Sequence, residues 1–391
     1  MRDVAVVGYC RTGIAKANRG ALNLTHGIPL AGHVLKHVVD RAGIDAGEVE
    51  DVIMGCGVPE GATGHNIART SALWAGLGVG VPGVTVNRYC GSGMTAASMA
   101  ANRIAVGEAD ILIAAGVESI TLSQGSMNLN GFVYEPLQHQ MPDVWWPMNQ
   151  TADFVAQKYA ISREAQDAYV VESQKRVEAA RTAGKFAEEI VPFTTNMKVT
   201  DKATGESSMR EVTLDHDEGP RPDTTLEGLA ALKPVYPGGT TTAGNASQSS
   251  DGAAALVMMD ADLAARRGLR ILGLFRGLQL AAVQPEEMSI AITPAIRRLM
   301  SRHGLSMGEI DLWELHEAYA VTTLYNQAQL ETPWETTNVS GGAIALGHPY
   351  AMTGIRYIGQ TLLELGRRGA HKAIAGACAA GGQATAVYLE R

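Results

Sequence analysis

The chain has little cysteine, few aromatic residues and no excess of positive charge. Four cysteines in 391 residues (Cys10, Cys56, Cys90, Cys378) do not make a disulfide framework. None lies in a CxxC or mixed Cys/His cluster, so no metal site is expected, and each thiol is by default a small buried hydrophobe. This cysteine usage points to a reducing, cytoplasmic compartment. Lys and Arg number 32 against 40 Asp and Glu, a formal charge of −8. That excludes nucleic-acid binding through a broadly basic surface, and an anionic ligand then needs a local cluster of cations. No run approaches the ~18 apolar residues of a membrane span. The apolar stretch near the start, about five residues, is too short for a signal-peptide core.

Glycine is abundant instead, 44 residues against the roughly 7% average, while aromatics are 5%. That suits tight turns and close helix–sheet packing. At about 150 residues per domain the length implies two or three domains. Short apolar runs at Val4–Val7, Val52–Met54 and Ile111–Ala115 read as strands, and 27–42 and 92–106 read as helices. This alternation predicts an α/β fold with a mostly parallel sheet and helices on its faces. A repeat is also visible. The Gly-x-x-x-Gly-Glu segments starting at Gly43 and Gly304 lie 261 positions apart, as do the strand-like segments starting at Ala109 and Ala370. Two similar halves follow, 1–118 and 251–391. The intervening 119–250 is expected to be a loop domain covering a site. Within it, 127–147, with Trp145 and Trp146, shows neither period. Residues 162–184 read as a helix capped by Ser162 and ended by Gly184, with a narrow buried stripe at Ala165, Ala168, Tyr169, Val177 and Ala180. The segment 197–222 is charged.

Cys90 lies between a β-prone run and an Ala-rich helical run, with Gly91 and Gly93 at the join. A thiol at a helix start is placed where free N–H groups favour a thiolate and an adjacent oxyanion. His348, in Gly347-His348-Pro349, offers an imidazole to take the thiol proton. Cys378 follows a strand-like run and precedes Ala-Ala-Gly-Gly, near a strand end where α/β sites collect. Two cysteines and a histidine suggest a nucleophile with a proton carrier; a redox pair of Cys90 and Cys378 is the competing reading. His316 and Glu317 sit where a strand meets a helix, with a helix-start cap as the alternative role for this pair.

These segments resemble the thiolase family in order and spacing over essentially the whole chain. They are Asn87-Arg-Tyr-Cys90-Gly-Ser-Gly, Thr242-Ala-Gly-Asn-Ala-Ser247, Asp251-Gly-Ala-Ala-Ala, His316-Glu-Ala-Tyr, Gly347-His348-Pro349 and Cys378-Ala-Ala-Gly-Gly. The resemblance implies two βαβαβαββ halves in an α/β/α/β/α arrangement with a loop domain, and a homodimer or homotetramer. It implies CoA-dependent cleavage of a 3-ketoacyl-CoA to acetyl-CoA and a shortened acyl-CoA. Cys90 would carry the acyl group, His348 would take its proton and Cys378 would protonate the departing acetyl-CoA carbanion. His348, with a water held at His316, would stabilise the enolate oxygen. The N–H groups of Cys90 and Ala380 would hold the oxyanion at the acyl carbon. CoA and acyl-CoA thioesters are then substrates, with no tightly bound cofactor. Arg221 corresponds to a residue near the CoA nucleotide, Ser247 to a pantetheine contact, and Met148 and Met288 to the lining of the pantetheine and acyl channel. Synthesis of acetoacetyl-CoA from two acetyl-CoA, and a non-catalytic acyl-CoA-binding protein of the same fold, are the alternatives.

The chain departs from the family pattern around this channel. Ala379-Ala380 replace Ile-Gly after Cys378, and a positive φ at 380 would strain an alanine. Tyr350-Ala-Met-Thr353 follows Gly-His-Pro, Ser289-Ile-Ala-Ile follows Met288, and Pro147 precedes Met148 in place of a histidine. These changes point to degradative cleavage of a bulky or unusual acyl chain. Trp145 and Trp146 are expected to anchor the covering segment or an interface rather than to touch the acyl group.

Overall fold

The computed structural model describes residues 1–201 and 203–391. Leu30, Ala31, Val34, Leu35 and Val38 recur at helical spacing and are buried, and this stripe makes Gly27–Ala42 a helix. His26 caps its start, and Gly43 ends it with φ +67, a conformation cheap only for glycine. A capping-box turn at Ala46–Glu48 then leads into a strand at Asp51. The second half repeats this. Helix Ile292–His303 ends at Gly304 with φ +63, a capping-box turn spans Met307–Glu309, and a strand starts at Leu312. Asp51 and Leu312 are again 261 positions apart.

The strands in chain order are β1 (Val4–Arg11), β2 (Ala15–Lys16), β3 (Asp51–Gly55), β4 (Gly83–Val86), β5 (Ile111–Glu118) and β6 (Phe193–Thr200). They continue with β7 (Ser207–Leu214), β8 (Ser250–Asp260), β9 (Gly273–Ala282), β10 (Leu312–Leu315), β11 (Lys372–Ala379) and β12 (Gln383–Glu390). The first half runs β4-β3-β5-β8-β1 and the second β10-β11-β12-β9. The two sheets meet where Ala5 and Val6 of β1 pair with Leu274 and Gly273 of β9.

Three hydrophobic clusters fill the layers. One lies between Gly27–Ala42 and the first sheet, another between Ile292–His303 and the second. The middle cluster surrounds helices Ser92–Ala105 and Tyr350–Arg368, which pack on each other and on strands of both halves. The order is helix, sheet, helix, sheet, helix, as the resemblance implied.

Two expectations are corrected. The sheets are mixed, not mostly parallel: β3 is parallel to β4 and β5, and β10 to β11, but β8, β1, β12 and β9 run antiparallel. A tight turn folds β12 back on β11, and β8 returns from the covering segment. Strand 250–260, placed by sequence at the start of the second half, lies between β5 and β1 and completes the first sheet.

Helix Arg163–Thr182 in the covering segment is capped by Ser162, as expected. Its buried face is Gln166, Tyr169, Val170, Ser173, Val177 and Ala180, whereas Ala165 and Ala168 face solvent. Polar positions can be buried here because Gln166 donates to Thr240 and Ser173 to Glu317. The charged stretch is largely ordered: β6 and β7 form an antiparallel hairpin of β-branched and polar residues. Arg11 of β1 ties the segment down, meeting Glu189 at 2.9 Å and Asp217 at 2.6 Å, all three buried. Among the described residues, no helix is long and apolar enough to cross a membrane.

The two central helices can touch only because small residues line the crossing. A Cβ on Gly93 would collide with the carbonyl of Ala351 and one on Gly354 would come 2.8 Å from the amide of Met94. Gly93→Ala is expected to lower unfolding stability by roughly 1–3 kcal/mol, read as a lower urea midpoint. A midpoint equal to wild type would show that the crossing has slack.

Candidate active site

Cys90 is set at its position by a strained turn. β4 delivers the chain to Asn87, whose side-chain oxygen accepts the amide of Tyr89 at 2.7 Å. Tyr89 has φ +47, unusual for a residue with a side chain. Ser92 holds this turn from the helix side, accepting from the Arg88 amide and donating to the Tyr89 carbonyl. The chain then enters helix Ser92–Ala105 with the thiol at the bend.

His348 Nε2 lies 3.1 Å from Cys90 Sγ. Its backbone amide is pinned by the carbonyl of Gln248 and the hydroxyl of Ser250. Pro349 precedes the first turn of Tyr350–Arg368. Thr353, one turn into that helix, brings its hydroxyl 2.8 Å from His348 Nδ1 and donates to the Pro349 carbonyl. The hydroxyl is then left to accept from Nδ1–H, which assigns the ring lone pair to Nε2, facing the thiol. Thr353 went unrecognised in the sequence, where it stood only as a departure from Ser.

Cys378 ends β11, and its Sγ lies 3.4 Å from His316 Nδ1. His316 is fully buried at the end of β10, its ring 4.4 Å from that of His348. Its Nε2 is buried and has no protein partner. Two Cys–His pairs therefore stand side by side. Glu317 is not a helix cap: it is buried and accepts from Tyr169, Ser173 and the Ile344 amide. It thereby binds the covering helix under the His316 loop. Ala380 does not take a positive φ; Gly381 and Gly382 do, at +76 and +73, so the substitution at 380 is unstrained.

Desolvation bears on the charge of all four groups, Cys90 being half-buried at the cavity and Cys378, His316 and His348 buried. It pushes Cys90 up to about 12, with Glu118 adding to the effect, and the N–H groups of Cys90 and Ala380 only partly oppose it. It raises Cys378, with Cys90 adding to the effect. Burial and the charge of Arg356 push His316 down to about 3. Burial, then His316 and Arg356, depress His348. Each of these shifts favours the uncharged form, two thiols beside two neutral imidazoles. At Cys90 the low-dielectric surroundings oppose the thiolate that the helix start favours.

Cys90, His348 and Cys378 open into one cavity of about 660 Å³, together with Ser247, Met148 and Met288. His316 lies behind its wall. Ser247 is held there by its backbone N–H, which donates a hydrogen bond to the Ala318 carbonyl, at the end of a loop knotted by Asn245 and Thr242. Arg221 is outside the cavity. It shares a surface depression with Lys16 and Arg19, and this depression reaches Ser247, Gln248 and Ser249, which also line the cavity. Lys16 and Arg19 were not singled out in the sequence because their proximity to Arg221 is purely tertiary. Trp145 and Trp146 correct an expectation, since both line the cavity. Tyr350 lines it too, and its hydroxyl donates to Gln124 of the covering segment. Among the described residues, no three His, Cys, Asp or Glu side chains gather closely enough to hold a metal ion.

The family models for the thiolase N-terminal and C-terminal domains match residues 4–262 and 269–391. The first match includes β8. The chain is 38% identical to the 3-ketoacyl-CoA thiolase of Bacillus subtilis, over 100% of both chains. It is 39% identical to the beta-ketoadipyl-CoA thiolase of Pseudomonas aeruginosa, over 100% of this chain and 99% of that one. The crystal structure of the Bacillus anthracis acetyl-CoA acetyltransferase superposes with a TM-score of 0.89 at 35% identity, covering 100% of this chain and 99% of that chain.

Two results are expected. Alkylation of Cys90 by iodoacetamide should keep accelerating from pH 7 to pH 10, because a thiol at about 12 gains thiolate throughout that range. A plateau near pH 8 would instead reveal a preformed ion pair. Thr353→Val, which keeps the shape and removes the hydroxyl, should lower turnover about tenfold by freeing the imidazole tautomer. Undiminished turnover would remove Thr353 from the site.

Proposed function

The chain belongs to the thiolase family, and on that premise we propose that it cleaves 3-ketoacyl-CoA with CoA through an acyl group carried on Cys90. The observation that carries this reading is the 3.1 Å approach of His348 Nε2 to Cys90, with Cys378 in the same cavity on its own imidazole. A redox pair needs no such separate partners.

The sulfur of Cys90 attacks the C3 carbonyl as its proton passes to His348 Nε2. The alkoxide is held by the N–H groups of Cys90 and Ala380. Collapse breaks the C2–C3 bond, leaving the acyl group on Cys90 and an acetyl-CoA enolate. Cys378 gives that enolate its proton at C2. The Cys378 thiolate then takes the proton of an incoming CoA thiol, and the CoA sulfur removes the acyl group. His348 returns its proton to Cys90. Run backwards, the same steps condense two thioesters, so direction follows metabolite levels.

Keeping both pairs neutral supports this sequence. The imidazolium, alkoxide, enolate and thiolate then form only as the reaction proceeds, when substrate fills the cavity and excludes water. We assign Ser247 to the pantetheine, and Met148 and Met288, which line the same cavity, to the walls of the pantetheine and acyl channel. Arg221, with Lys16 and Arg19, supplies a local cationic patch for the CoA phosphates despite the net charge. The outer edge of β4, exposed at Val84 and paired among the described residues only with β3, is open to a second copy, in keeping with a dimer or tetramer.

Two variants separate the roles. Cys90→Ala is expected to lose both turnover and the acyl mass adduct. Cys378→Ala should still take one acyl mass on Cys90 from a simple acyl-CoA, yet turn over at least about 100-fold more slowly. An adduct on Cys90→Ala, or wild-type turnover in Cys378→Ala, would overturn these assignments.

A further inference from the structure

The wall of the catalytic cavity facing the covering segment is apolar and aromatic, formed by Phe132, Val144, Trp145, Trp146 and Pro147. Among the described residues, none lining the cavity is Lys, Arg, Asp or Glu. A terminal carboxylate on an acyl chain would be desolvated there with no cation to meet it. On the other side of Trp146 lies a second hollow of about 610 Å³, lined by Phe154, Tyr236 and the Gly238-Gly239 turn, with Gln150, Asp153 and Gln157 also at its edge. Among the described residues, Trp146 alone borders both spaces.

Trp146 is also held firmly. Pro147 follows it, which restricts its backbone to the extended region, and it sits there with φ −61 and ψ 136. Its amide donates to the Asp143 carbonyl. Its ring meets that of Phe154 edge-on, with centroids 6.0 Å apart. Phe154 is carried on helix Met148–Lys158, whose Thr151, Ala152, Val155 and Ala156 are buried. The half-buried indole therefore stands between the two spaces, packed on Phe154.

We propose that Trp146 sets the length of acyl group the enzyme accepts: an uncharged 3-ketoacyl chain that ends against the indole. Removing the indole joins the catalytic cavity to the outer hollow, and a longer chain can then pass Phe154 toward Tyr236. This inference rests on the thiolase reading and adds the class of substrate to it.

The test compares kcat/KM for acetoacetyl-CoA and for a long straight-chain substrate, 3-ketohexadecanoyl-CoA, in wild type, Trp146→Ala and Tyr236→Ala. The ratio of long to short should rise about tenfold or more in Trp146→Ala, since several methylenes gain a place to lie. Tyr236→Ala should keep the wild-type ratio, because the native chain does not reach that side. If Trp146→Ala does not fold, Trp146→Leu must move the ratio in the same direction. A folded variant at 146 with the wild-type ratio overturns the partition. So does a wild type that already favours the long substrate. A wild type that cleaves neither substrate overturns the thiolase reading and this inference together, whereas the other failures leave the thiolase reading standing.

Discussion

The backbone of Ala351 lies against Gly93 and Gly116, and a Cβ on either glycine would run into its carbonyl. Gly55 presses on Ser92 from the β3 side, and Gly354 on Met94 from the helix opposite. This seam of small residues lets helices Ser92–Ala105 and Tyr350–Arg368 cross at close range. Cys90 stands just before the first helix and His348 just before the second. The 3.1 Å contact between them is set by how near two backbones can come, and it needs no flexible side chain to reach across. A methyl group anywhere along the seam would push the nucleophile from its base.

Burial follows from the same crossing. The layer that brings the helices together also encloses the site between two sheets, so thiols and imidazoles rest in their neutral forms. An exposed ion pair would be a better nucleophile in the absence of substrate and would also be open to every oxidant and alkylating agent. Here reactivity depends on the substrate's own carbonyl accepting charge beside the N–H groups of Cys90 and Ala380. Thr353 adds the orientation that burial alone cannot supply, by assigning the proton of His348 to the nitrogen facing away from sulfur.

Much of this was legible in the sequence, for identifiable reasons. The 261-residue repeat marked the two halves because each uses the same glycine-terminated helix and capping-box turn, which are local devices. Cys90, His348 and Cys378 stood out because glycine and proline punctuate the bends that hold them. What escaped was set by distance along the chain. Lys16 and Arg19 join Arg221 only through folding. The aromatic wall at 145–146 lacks any period because it serves a cavity, not an element's own face. The helix 163–182 hides its register because Glu317, Thr240 and their neighbours satisfy its buried polar residues from elsewhere. At Cys90 the helix-start field is opposed for a related reason: that field is local, whereas desolvation sums over everything packed around the thiol.

The placement of β8 has a consequence for how the molecule is made. β5 and β1 flank this strand, and it is encoded after the whole covering segment. During synthesis the first sheet lacks its middle until residue 260 has emerged, and the facing edges of β1 and β5 stay unpaired meanwhile. Such edges are the ones prone to pairing with other chains. The covering segment is thus also the connection that brings β8 back into the gap. In the folded chain Arg11 of β1 anchors it there through Glu189 and Asp217.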